Sequence, residues 1–289
     1  MTRALVLGGG GPVGIAWEIG LLAGLVDEGV DLTTADHIVG TSAGSLVGAR
    51  LALGESPAEA ADVSTQQIGD AGSAGAAAVD ADALVTIGMA MFEAWTGTRP
   101  ADEAVKQLGR LAAEADTIAE DDFVDLLSAG HLDGDWPDRD YRCTAADIET
   151  GEFTVWSRDS GVSLARAVAS SCAVPGIYPP ITIDGRRYMD GGVHSGTNAQ
   201  LVAGADVVVV ISVISGLMPP MAELLGKDLR EEVEELRSGG ATVEVVEFDQ
   251  ATAELVGGNL MAFDNGAAVG AAGMAQSAAV AERLRPIWG

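Results

Sequence analysis

Three short stretches set reactive groups among glycines. In Gly40-Thr41-Ser42-Ala43-Gly44 a serine stands between glycines in the pattern GxSxG. That is the spacing of a nucleophile elbow, where a strand turns into a helix so sharply that the serine takes strained backbone angles and side chains two positions away would collide. Such a turn lifts Ser42 Oγ clear of the sheet at a helix N-terminus, whose dipole favours developing negative charge. The run GGGGPVG, Gly8 to Gly14, follows the apolar Ala4 to Leu7 and precedes apolar residues at helical spacing. A glycine loop in that position turns backbone N–H groups toward an anion, either a nucleotide phosphate or an oxygen charged only during a reaction. Asp190-Gly191-Gly192 then sets a carboxylate at a strand end, with neighbours small enough for close backbone approach.

The glycine loop by itself fits two chemistries. Gly9 to Gly14 satisfies GxGxxG, the dinucleotide fingerprint, yet Asp31 and Asp36 are only loosely placed for the acidic residue expected about 20 positions on. A mononucleotide loop fits worse, because Ile15 and Ala16 stand where Lys and Ser/Thr are required. A serine nucleophile also needs a base. The chain has three histidines. His37 opens the elbow strand, at the wrong end to reach Ser42, and His131 reads as a solvated residue of a Gly- and Asp-rich turn. His194 and Asp190 remain as candidates, four residues apart.

The elements that must position these groups alternate strand and helix. Strands are predicted at Ala4–Leu7 and His37–Val39, with helices after each. From Glu55 to about Asp140 the chain is rich in Ala, Asp and Glu. There the spacing predicts helices over about 81–95 and 102–115, a helical insertion or cap on the body. Within it, VTIGMAMFEAW (Val85 to Trp95) puts Met89, Phe92 and Trp95 on one face, which suits core packing or an adaptable apolar lid. Hairpins are predicted around Glu149-Thr150-Gly151 and Asp184-Gly185. The run DVVVVISVI (Asp206 to Ile214) reads as a fully buried strand of a parallel sheet. A charged amphipathic helix over 223–237, a strand over 242–248 and an Ala-rich terminal helix follow. The expected fold is α/β: one domain over 1–289, with a mostly parallel central sheet, helices on both faces and the insertion at about 55–140.

Composition narrows the partners. The chain has 289 residues, 48% of them apolar, and a net charge of −27. So negative a protein is a poor partner for nucleic acid or anionic lipid, both of which call for a Lys/Arg surface. Cys143 and Cys172 form no CxxC pair, no signal peptide is recognisable and no zinc motif is present, so a cytoplasmic setting with free thiols and no metal is expected. The apolar run Leu201 to Leu217 is too short, and contains Asp206, for a membrane span.

GGGGPVG, GTSAG and DGG, in this order and spacing, resemble the patatin-like phospholipase family. The segments CTAADIETGEF and ASSCAVPGIYPP extend the resemblance, which covers roughly residues 4–54 and 141–215 and is weak in the insertion. The family is built on an α/β sheet and hydrolyses acyl esters with a Ser–Asp dyad, without histidine or cofactor. The resemblance implies Ser42 as nucleophile, Asp190 as base and the amides of Gly9, Gly10 and Gly11 as oxyanion hole, framed by Gly14, Gly40, Gly44, Gly191 and Gly192. It implies a lipid or other acyl-ester substrate and transient, peripheral membrane contact. The family's glycine motif usually carries Arg or Lys where this chain has Val13, which removes one cation that could meet a lipid phosphate. The rival readings are an NAD(P) oxidoreductase using GxGxxG and a non-catalytic lipid-binding protein.

Overall fold

A computed structural model describes residues 1–61, 86, 89–93, 100–129, 131–217, 226–262 and 264–289. Eight strands form one sheet: β1 (Arg3–Leu7), β2 (His37–Gly40), β3 (Asp140–Asp147), β4 (Phe153–Trp156), β5 (Ile181–Ile183), β6 (Arg186–Asp190), β7 (Val207–Ser212) and β8 (Thr242–Glu247). Their order is β5-β6-β3-β2-β1-β7-β8, with β4 paired to β3. β3, β2, β1, β7 and β8 run parallel, and β4, β5 and β6 join antiparallel at one end. The sheet is therefore mostly parallel, as the continuous apolar runs predict.

Alternation along β1 splits the core in two. Leu5 and Leu7 enter one apolar cluster with Trp17, Leu21 and Leu25 of α1 (Gly11–Asp27), and with Val269, Val280 and Leu284 of α8 (Gly266–Trp288). α2 (Ala43–Ala52) belongs to the same layer and is buried on every side. Ala4 and Val6 point the other way, toward Leu229, Val233 and Leu236 of α6 (Lys227–Ser238). Helices thus cover both faces, which explains why β7, VVVVIS, has no exposed position. Among the described residues no helix is long and apolar enough to cross a membrane, and the run Leu201–Leu217 contains β7.

The insertion holds α3 (Ala101–Glu114) and an unforeseen α4 (Glu120–Ser128). α3 lies where the second expected helix was drawn. The first, 81–95, falls mostly outside the described residues. Of the proposed lid face, Met89 is exposed and Phe92 half-buried, while Trp95 is outside the described residues. Ala90, Val105 and Leu108 instead pack on Ala146, Met189 and Val193, so the insertion rests against the strand that ends at Asp190. α5 (Leu164–Ser171) follows β4, and a short α7 (Gln250–Val256), also unforeseen, follows β8. His131 is not simply solvated: its Nδ1 lies 3.1 Å from Glu55, which also binds Arg50 of α2.

Candidate active site

Two strands meet end to end along one edge of β3, and that meeting assembles the site. Gly40 of β2 pairs with Cys143, whose other side is taken by Trp156 of β4. Asp190 of β6 pairs with Ala145, whose other side is taken by Thr154 of β4. β2 and β6 therefore share the edge opposite β4. Running in opposite directions, they finish facing one another. The chain turns away from each end at once, and the side chains at those two turns converge.

At the β2 end Ser42 has φ 53° and ψ −121°, a left-handed conformation that costs a non-glycine residue about 1–3 kcal/mol. The flanking glycines make the turn sterically feasible. A Cβ on Gly40 would stand 2.4 Å from the Gly44 carbonyl oxygen, and one on Gly44 would stand 2.2 Å from that of Leu7. The turn is held by the Ser42 amide donating to Ser171 Oγ at 3.1 Å, and by Ser45 Oγ and the Cys172 thiol donating to the Ser42 carbonyl at 2.6 and 3.2 Å. Burial raises the Cys172 thiol well above its ordinary range and Cys143 to about 12, so both stay protonated and act as packing.

At the β6 end Asp190 caps a short 3₁₀ turn, its Oδ1 accepting the Gly192 amide at 2.7 Å. The Ser42 hydroxyl lies close enough to the same carboxylate to favour its charged form. Asp190 is 4% exposed and Ser42 7%. Burial pushes the Asp190 carboxyl up to about 7, because the Gly192 amide and the Ser42 hydroxyl only partly offset the loss of water. Gly191 presses on Thr144, where a Cβ would lie 2.3 Å from Oγ1, so β6 can end this close to β3.

The glycine loop comes down over Ser42 from β1. A Cβ on Gly9 would touch that of Ser42 at 3.3 Å, and Gly14 meets Ala43 in ordinary contact. Gly11 opens α1 with φ +57° beneath the Leu260 carbonyl, 2.7 Å from where a Cβ would sit. Pro12, which has no N–H to leave unpaired, occupies the first turn. The Gly9 amide donates to the Gly196 carbonyl at 2.8 Å, whereas those of Gly10 and Gly11 make no hydrogen bond with the described residues.

Of the histidines, none reaches Ser42. His37 binds Asp140 at 2.7 Å, at the far end of β2. His194 Nε2 lies 3.0 Å from the Gly151 carbonyl in the β3–β4 turn, and its ring stands edge-on to Phe153. Burial lowers its pKa, which keeps the ring neutral. Sequence reading overlooked the polar residues that surround the site. Asn198, in the left-handed region at φ 53°, donates from Nδ2 to Thr41 Oγ1 at 3.0 Å, and Thr41 and Thr144 share a further 3.0 Å hydrogen bond. No local pattern marks Asn198, because Thr41, its partner beside the elbow, lies more than 150 residues away.

Among solved structures, VipD from Legionella pneumophila matches with 12% identity and a TM-score of 0.46, over 97% of this chain and 67% of that one. The complex of SpcU with ExoU from the type III secretion system of Pseudomonas aeruginosa matches with 16% identity and a TM-score of 0.43, over 98% of this chain and 52% of that one. This chain thus spans about two thirds of the first and half of the second. The profile of the patatin-like phospholipase family matches residues 5–203, which include the glycine loop, the elbow and the Asp190 turn. The chain belongs to the patatin-like phospholipase family.

Proposed function

We propose that this protein is a serine-dependent lipid acyl hydrolase, of phospholipase A or lysophospholipase type, working with a Ser42–Asp190 dyad. The observation that carries the reading is the Ser42 hydroxyl, held at a strained elbow, beside a buried carboxylate with no histidine between them. As Oγ attacks the acyl carbonyl, Asp190 takes its proton. The carbonyl oxygen becomes an oxyanion beside the amides of Gly10 and Gly11, each such donor contributing on the order of 100- to 1000-fold in rate. Gly9 supports that pair through its bond to Gly196. Collapse of the tetrahedral species breaks the ester bond, and Asp190 returns the proton to the departing alcohol. Water then attacks the acyl-Ser42 ester, giving its proton to Asp190, and Ser42 leaves with that proton restored.

The dinucleotide reading fares worse. The Leu260 carbonyl accepts the Val13 amide at 3.4 Å and covers Gly11, so an oxygen stands where a pyrophosphate would approach the helix. A purely lipid-binding chain has no use for strain at Ser42 or for an acid beside its hydroxyl. For the substrate, two features favour neutral or zwitterionic esters. Val13 brings no charge, and Arg186 is engaged by Asp147 at 2.8 Å and Glu152 at 3.5 Å. Membrane contact is transient, made when substrate is drawn from a surface.

The test is an ester panel of graded chain length, with fluorophosphonate labelling of the same preparations. Wild-type protein should turn over esters and be labelled at Ser42, and Ser42→Ala should do neither while remaining folded. Substantial turnover by Ser42→Ala, or tight NAD(P) binding without labelling, would overturn the assignment.

A further inference from the structure

We propose that Glu232, on α6, is a positioning residue that holds the oxyanion loop, the elbow and the Asp190 turn in register. The inference rests on the hydrolase reading above.

Glu232 lies on the face of α6 that carries Leu229, Val233 and Leu236, and is buried with them. Its carboxylate is surrounded by donors from one loop, 195–199. Thr197 Oγ1 donates to Oε2 at 2.7 Å and the Ala199 amide to the same oxygen at 2.9 Å. The Ser195 hydroxyl lies near enough to favour its charge as well. Ser195 Oγ in turn accepts the amides of Thr197 at 3.2 Å and Asn198 at 3.1 Å, which closes the loop on itself.

This loop touches all three parts of the site. It continues directly from the turn that Asp190 caps, with only His194 between. Its Gly196 carbonyl receives the Gly9 amide at 2.8 Å, and the same carbonyl and Thr197 Cγ2 pack on Gly8. Its Asn198 reaches Thr41, the residue before Ser42, while holding the Ser195 carbonyl at 2.8 Å. Glu232 touches none of the reacting groups; it fixes the piece that fixes them. Without its carboxylate, the Thr197 hydroxyl and the Ala199 amide lose their buried acceptor, and the loop must shift to reach water. A displacement of about 1 Å among reacting groups can cost on the order of 100-fold in rate.

The experiment compares wild type, Glu232→Ala, Glu232→Gln and the exposed-face control Glu235→Ala, using full-length protein on the best ester of the panel. For Glu232→Ala we expect kcat to fall roughly 10- to 100-fold with KM nearly unchanged, and the fluorophosphonate labelling rate to fall in parallel. Glu232→Gln should recover most of the loss, since its carbonyl oxygen can still accept from Thr197 and Ala199, and Glu235→Ala should match wild type. A merely structural role would lower the fraction of active protein and leave kcat per labelled site unchanged. A folded Glu232→Ala enzyme with wild-type kcat per labelled site, or with a defect in KM alone, overturns the proposal. Should Glu232→Ala fail to fold, Thr197→Val carries the test: a several-fold lower kcat supports the role and an unchanged kcat overturns it. A wild type inactive on every ester and unlabelled would instead remove the hydrolase reading, and this inference with it.

Discussion

Two buried regions flank the central strand β1, and they are held by opposite means. On one side α1 and α8 touch backbone to backbone. A Cβ on Gly20 would stand 2.0 Å from the Gly270 carbonyl oxygen, and one on Gly24 would stand 2.5 Å from Ser277 Oγ. On the other side Ser195, Thr197, Asn198 and Glu232 form a lattice of hydrogen bonds around the turns that carry Ser42 and Asp190. Close packing fixes distances through volume and tolerates no added atom. A polar lattice fixes directions, which a proton transfer needs, but each member must find its partner. Each region also buries an acid. Glu232 faces three donors, whereas both carboxylate oxygens of Glu18 in α1 have no hydrogen-bond partner among the described residues. One acid orders its surroundings; the other is a cost carried by good packing.

The comparison can be broken in several places, beginning with the largest effect. Asp190→Asn removes the proposed base and should lower kcat/KM by about 1000-fold or more, while His194→Ala, whose ring is spent on Gly151, should keep most activity. Comparable losses in two well-folded variants would restore a histidine to the mechanism. Gly20→Val attacks the packed side. It should destabilise the fold by about 3 kcal/mol, read as a lower melting temperature with kcat per folded molecule unchanged. A variant as stable as wild type would mean that the two helices can part without penalty.

A pH profile reads the polar side. As the proposed base, Asp190 must be unprotonated to accept the Ser42 proton, and burial pushes its carboxyl up to about 7, so kcat/KM should rise about tenfold per pH unit below 7 and level off above it. A profile flat from pH 5 to 8 contradicts that environment for Asp190.

Glu18→Met tests the unpaired acid. Burial raises the Glu18 carboxyl well above its ordinary value, so the folded protein retains a proton that the unfolded chain releases above about pH 4.5. Wild-type stability contributed by this group therefore falls as pH rises. Glu18→Met should be more stable by about 1–2 kcal/mol at pH 8, with a smaller advantage at pH 5. Equal melting shifts at both pH values would show the carboxyl to be partnered.

The smallest effect concerns charge at long range. With a net charge of −27, the protein should hydrolyse zwitterionic vesicles a few-fold faster than anionic ones at low salt, and added salt should narrow the gap. Faster hydrolysis of anionic vesicles would point to a local basic surface.

What the sequence disclosed follows the same division. The elbow, the glycine loop and the DGG turn are visible because each needs glycines at fixed local spacing, and β7 is visible because five-residue apolar runs have few other uses. The meeting of β2 and β6 on one edge of β3 is invisible, since it depends on pairings between residues more than 40 positions apart. Glu232 lies in KDLREEVEELRS, where one more acid reads as solvated. Its signal was its place in the stripe Leu229, Glu232, Val233, Leu236, at the helical spacing of a buried face. α4 escaped because its first turn, Glu120-Asp121-Asp122, looks like loop composition although it suits the positive end of a helix dipole.

The contact between α1 and α8 also bears on the order in which the molecule can be completed. α1 is synthesised long before α8, and between them β1 waits for β7 to fill its second edge. The two ends then lock: Arg3 donates to the Trp288 carbonyl at 3.0 Å, and Trp288 Nε1 donates to that of Asp31 at 2.9 Å. Contacts that span the chain form late, because the entropy of closing so long a loop must be overcome first. A chain still short of residue 260 therefore carries Ser42 without the Leu260 carbonyl that stands over Gly11.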